Sequence, residues 1–136
     1  MLVPKDESLE LSSSIALIAR QFGAVLTNEQ VAKSFEQGNL RQRASIQEYF
    51  AKYSISVFFK EIRSTDLITK KYLFPCVAVQ KNGKSTIILS VKKTPENGKI
   101  FLRTIDVFSS TLGTKDIEFS LFSDNWSGSV VLIGRK

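Results

Sequence analysis

The chain has 136 residues, 43% hydrophobic and 24% charged, which is one domain's worth of ordinary globular composition rather than a disordered tail or a fibrous repeat. No apolar run approaches the roughly 20 residues that span a bilayer, and Asp6, Glu7 and Glu10 beside Lys5 do not make a secretory signal. There is no histidine and a single cysteine, Cys76, which excludes imidazole-based catalysis, a disulfide within the chain and a multi-cysteine zinc site. The net charge of +6 is uneven: residues 52–103 hold eleven of the 19 basic residues and only Glu61, Asp66 and Glu96, a net of +8 that leaves −2 elsewhere. Such a stretch fits either an anion-seeking surface or lysines that solubilise strands.

Helices come first. Leu11, Ile15, Ile18, Ala19 and Phe22 recur at helical spacing, predicting a helix over Ser8 to Phe22 that Gly23 stops. Its serines, Ser12-Ser13-Ser14, read as a polar helix face without a base to activate them. Thr27 with Gln30 three residues on is a capping box for a short helix that ends near Gln37, with Val31 and Phe35 inward. Ile46, Tyr49, Phe50 and Tyr53 predict a third helix over Ser45 to Tyr53.

The period then shortens to two. Val57 to Ile62 reads as a strand, followed by a polar turn or short helical piece at Ser64 to Lys71. Phe74–Gln80 and Ser85–Val91 read as strands joined at Asn82-Gly83, a pair suited to a type I′ turn. Cys76 lies inside the first of them, as an inert core residue. Pro95 to Gly98 turns the chain into Lys99–Ile105, at whose end stands Asp106. Lys115–Asn125 reads as a short helix with Ile117, Leu121 and Phe122 inward, Trp126 closes the core edge, and Val130–Gly134 is the last strand. N-terminal helices packed on a mainly antiparallel sheet make an α+β domain with the layout of papain-like peptidases.

No phosphate loop, dinucleotide fingerprint or zinc spacing occurs, so no metal or cofactor is expected. The run from Leu11 to Gly23 resembles the first helix of the C39 peptidase family. Phe74-Pro75-Cys76-Val77-Ala78-Val79 with Asn82-Gly83 is similar to that family's apolar strand and turn. Asp106, Phe122 and Trp126-Ser127-Gly128 before Val130-Val131-Leu132-Ile133 resemble its closing elements. The resemblance spans nearly all of residues 1–136 as one C39-like domain. It implies an amino-terminal domain of a bacterial ABC exporter, where active members cleave a leader peptide with Cys, His and Asp, assisted by Gln.

Carried over residue by residue, Glu10 stands at the position of the nucleophilic Cys, Ser85 at that of the His and Pro4 near that of the Gln. Only Asp106 is retained. The resemblance therefore implies a non-cleaving docking module for an unfolded secreted substrate, an RTX toxin or large adhesin, in a type I secretion exporter. Its implied partners are the exporter's transmembrane and nucleotide-binding domains, whose full-length form would be an ATPase, and the membrane-fusion protein of the complex. Its implied place is the cytoplasmic face of the inner membrane. Lys81, Lys84, Lys92 and Lys93, with Phe58 and Tyr72, are the expected docking residues for acidic cargo. Ile133-Gly134-Arg135-Lys136 is expected to lead towards a membrane domain. The alternative is a stand-alone basic module that stacks nucleic acid on Phe58, Phe59, Tyr72 and Phe101; under the exporter reading no nucleic acid is bound.

Overall fold

The computed structural model describes residues 6–70, 74–105 and 113–135. The chain opens with α1 (Leu9–Gln21), α2 (Asn28–Glu36) and α3 (Arg43–Ala51), then β1 (Ile55–Glu61) and the single turn and a half of α4 (Ser64–Thr69). The strands β2 (Cys76–Gln80), β3 (Ser85–Lys93), β4 (Ile100–Ile105) and β5 (Thr114–Glu118) follow. The helix α5 (Phe119–Asn125) then precedes the long strand β6 (Trp126–Arg135). Among the described residues six strands form one sheet in the order β1-β6-β2-β3-β4-β5, with every pair antiparallel. The last strand thus sits inside the sheet, between β1 and β2.

Both faces of that sheet are covered, which is why Cys76-Val77-Ala78-Val79 is apolar without alternation. On one face α1, α2 and α3 bury Leu11, Ile15, Ile18, Val31, Ile46 and Phe50 against Val57, Val77 and Val131. On the other, Leu67 of α4 and Phe122 of α5 pack with Cys76, Ala78, Ile88, Leu102 and Val130. Cys76 is completely buried, as its apolar neighbours suggest. Trp126 also belongs to this second layer: it is buried, stacks on Phe122 at 5.8 Å between ring centroids, and donates from Nε1 to the Ser129 carbonyl at 2.9 Å.

Four local expectations change. Ser12, Ser13 and Ser14 are buried rather than a solvated face, because α1 is enclosed on several sides and small side chains let its neighbours approach. The predicted helix over Lys115–Asn125 divides: Thr114–Glu118 pairs with β4 as an edge strand, and only Phe119–Asn125 is helical. In consequence Leu121 points outward, 63% exposed, while Phe122 takes the core position. The β2–β3 connection is not a type I′ turn. Gly83 N–H donates to the Gln80 carbonyl at 3.0 Å and Gln80 N–H to the Lys84 carbonyl at 2.8 Å, with positive φ at Gly83 but not at Asn82. That is a three-residue loop, an ordinary turn followed by a left-handed glycine. The capping box at Thr27 forms as predicted, with Thr27 N–H donating to Gln30 Oε1 at 2.8 Å and Gln30 N–H to Thr27 Oγ1 at 3.1 Å. Among the described residues no helix is long and apolar enough to cross a membrane.

Candidate functional site

The amino-terminal turn of α1 points into a cleft made of two adjoining cavities. The larger, about 570 Å³, lies between the start of α1, Arg43, the end of β1 and the β2–β3 hairpin. The smaller, about 350 Å³, runs on towards β4 and β5. Glu10, Gln80 and Lys84 line both, so they stand where the two meet. Ser8 caps α1 by accepting the Leu11 N–H at 3.2 Å, and Glu10 sits in the first turn, where the helix dipole favours an anion.

Ser85, at the start of β3, borders the smaller cavity, yet its hydroxyl turns inward. Its Oγ lies 3.0 Å from Ser14 Oγ, and both residues are buried, at 5% and 1% exposure. This hydrogen bond ties α1 to β3 under the cleft floor. Ser14→Ala leaves the Ser85 hydroxyl buried without that partner and is expected to cost about 1–3 kcal/mol. The double variant Ser14→Ala/Ser85→Ala is expected to recover part of the loss, because nothing polar is then stranded; urea unfolding of the three variants measures both effects. Loss from the double variant equal to the sum of the two single losses would show that the pair is not coupled.

Carboxylates outnumber cations around the larger cavity, but most are engaged internally. Asp6 lies 3.7 Å from Arg41 and accepts from Gln42 Nε2 at 2.7 Å; Glu7 pairs with Arg43 at 2.8 Å; Glu61 accepts from the Ser129 hydroxyl. Lys81 and Lys84 have no carboxylate within ion-pair distance among the described residues. The Lys81 ammonium donates to the Asp124 carbonyl at 3.2 Å, at the end of α5, while Lys84 is exposed. Two lysines without an ion pair among the described residues therefore stand on the hairpin wall, in a cavity that Glu10 and Glu61 also line.

Lys92 and Lys93 are not part of this wall. They lie at the far end of β3, about 25 Å from Lys84 at the rise of an extended strand. The four expected docking lysines therefore do not form one strip. Lys92 instead stands near Asp116, whose carboxyl is held below the usual range chiefly by its hydrogen bond from Arg103 Nε at 3.1 Å. Phe58 is 59% exposed on β1, whereas Phe59 is half-buried beneath the Arg43 guanidinium at 4.9 Å. Phe101 is on β4, four strands away, roughly 19 Å at the spacing of paired strands. These aromatics do not form a continuous stacking platform. Pro4, Tyr72 and Asp106 lie outside the described residues.

Glu61, Gln80 and Ser129 belong to the cleft although no sequence pattern marked them, and Ser127, quoted only as part of the closing Trp126-Ser127-Gly128 element, joins them. The discoverable signal was Ser127-Gly128 between Trp126 and the apolar strand. The β2–β6 register shifts there, Gly128 has φ +93°, and a Cβ on it would come within 3.4 Å of Glu61 Oε2. Ser127 Oγ donates to the Val79 carbonyl, closing the gap left by the shift.

No family model matches the chain, and no curated protein matches it. Solved structures do. A double glycine motif protease from an AMS/PCAT transporter, in complex with its leader peptide, aligns with a TM-score of 0.73 at 14% identity, over 100% of this chain and 91% of that one. The peptidase domain of Streptococcus ComA, a bifunctional ABC transporter of a quorum-sensing pathway, gives 0.69 at 14% identity over 99% and 98%. The N-terminal peptidase C39-like domain of a toxin secretion ATP-binding protein from Vibrio parahaemolyticus gives 0.66 at 13% identity over 98% and 100%. The structural neighbours are thus C39 peptidase-like domains of ABC transporters, and the chain has their papain-like fold.

Proposed function

We propose that this domain is a non-cleaving C39-like module that docks an unfolded secreted polypeptide, an RTX toxin or large adhesin, for a type I secretion ABC exporter. The observation that carries the reading is the cleft itself: it is open, and the two of its residues that the resemblance sets at the Cys and His positions are Glu10, a carboxylate, and Ser85, whose hydroxyl is tied to Ser14. A cysteine-peptidase mechanism needs a thiolate beside a base. The chain has no histidine, and its one thiol is buried in the opposite layer of the core, where desolvation pushes its pKa up to about 12.

A cleft shaped for an extended chain keeps its use when chemistry is absent. Lys81 and Lys84 favour acidic segments. The reading places the domain at the cytoplasmic face of the inner membrane, with the exporter's transmembrane and nucleotide-binding domains and a membrane-fusion protein as partners. The leader peptide bound to the AMS/PCAT protease supports peptide recognition by this fold. Incubation with double-glycine leader peptides, followed by mass spectrometry, is expected to give no cleavage product. Thiol-dependent cleavage abolished by Cys76→Ser would contradict the proposal.

A further inference from the structure

The sheet has two edges, and β1 forms one of them. Ile62 N–H donates to the Gly128 carbonyl at 2.9 Å, which sets the phase of pairing with β6. In an antiparallel ladder, alternate residues then bond inward. Ser56, Phe58 and Lys60 face β6, while Ile55, Val57, Phe59 and Glu61 turn their N–H and C=O groups outward. Gln47 Nε2 on α3 donates to the Val57 carbonyl at 3.0 Å, as that phase requires. Val57 O is the one outward group of β1 with a described side-chain partner.

Two further features lie along this edge. Phe58, 59% exposed, sits opposite Leu132 on the face away from α1, α2 and α3, where an added strand would cover it. Glu61, at the strand's end, lines the larger cavity, so the edge runs into the cleft. We propose that the open edge of β1 is a strand-addition site, where an extended polypeptide pairs through its backbone with Val57, Phe59 and Glu61 as a seventh strand. The inference rests on the docking reading and adds to it a chemical reason for selecting the unfolded state. Backbone pairing accepts many sequences but requires free N–H and C=O groups, which a folded domain has already paired. The occupant is a single chain rather than a second copy of this sheet, because Gln47 reaches over the edge from α3 and obstructs a flat sheet-to-sheet approach.

The test uses an extended Thr/Val peptide ending in Asp residues, and the same peptide N-methylated at alternate positions. With the first, the amides of Val57, Phe59 and Glu61 are expected to gain about tenfold in hydrogen-exchange protection, and the N-methylated peptide is expected to leave them unchanged. Gln47→Ala frees the Val57 carbonyl and is expected to tighten binding about fivefold, the worth of one additional backbone hydrogen bond. NMR shifts at Lys84 and Ser127 with unchanged exchange in β1 would overturn the inference while leaving cleft docking intact. Equal binding of the N-methylated peptide, or self-association of the domain through β1, would overturn it as well. No shift anywhere with any unfolded chain would remove both proposals.

Discussion

Trp126→Ala is expected to lower stability by about 3–5 kcal/mol, the cost of truncating a buried indole, with a fall in Tm of about 10 °C or more. Three losses combine. The ring is 6% exposed, so its removal leaves a cavity between α5 and the start of β6. Phe122 loses its stacking partner. The Ser129 carbonyl loses the indole N–H, and Ser129 also carries the hydroxyl that holds Glu61 at the cleft. Trp126→Phe keeps an aromatic surface and gives up mainly the hydrogen bond, so its expected cost is smaller, about 1–2 kcal/mol. Thermal melts of the two variants check the order, and an unchanged Tm for Trp126→Ala would place the ring outside the core.

Cys76 is expected to resist alkylation in the native protein by about three orders of magnitude relative to the urea-unfolded chain at pH 8. Burial alone pushes its pKa from its ordinary value of 9.0 up to about 12, and the thiolate is the reactive form. The same shift has a consequence for stability. Between pH 9 and 12 the unfolded thiol has lost its proton while the folded one keeps it, so this group's contribution is present below pH 9 and declines above it, by about 1.4 kcal/mol per pH unit. Cys76→Ala is expected to remove that part of the alkaline slope. Iodoacetamide labelling followed by mass spectrometry measures the rates; rapid labelling of the folded domain would show that the thiol reaches solvent.

The parts of the fold that were legible in the sequence are those whose signal is local. The Thr27–Gln30 box needs only four residues, and the apolar strand around Cys76 announces burial on both faces without reference to any partner. The end of the chain was harder. Thr114–Glu118 is an exposed edge strand with Ile117 as its only aliphatic residue, and Ile117 also sits at helical spacing from Leu121 and Phe122. A strand at an edge is held by the ladder to β4, which no window of the sequence displays. Ser12, Ser13 and Ser14 misled for a related reason: whether a small polar residue faces water depends on what packs over it, and here the fold encloses α1.

The cleft was half legible. Glu10 and Ser85 were placed by resemblance, and Lys81 and Lys84 by charge, and the fold brings all four to the two adjoining cavities. Glu61 and Ser129 come together only through the β1–β6 register, at a separation of 68 residues, and Lys92 and Lys93 leave the site because β3 is long.

The most direct test of docking is an NMR titration of the labelled domain with a calcium-binding repeat segment of an RTX-type secreted protein, first calcium-free and unfolded, then calcium-folded. Shifts are expected at Lys81, Lys84, Gln80 and Ser127 with the unfolded form only, at an affinity on the order of micromolar or weaker, reduced by added salt and by Lys81→Glu/Lys84→Glu. Equal shifts with both forms, or none with either, would contradict it, as would tight, steeply salt-dependent binding to single-stranded nucleic acid.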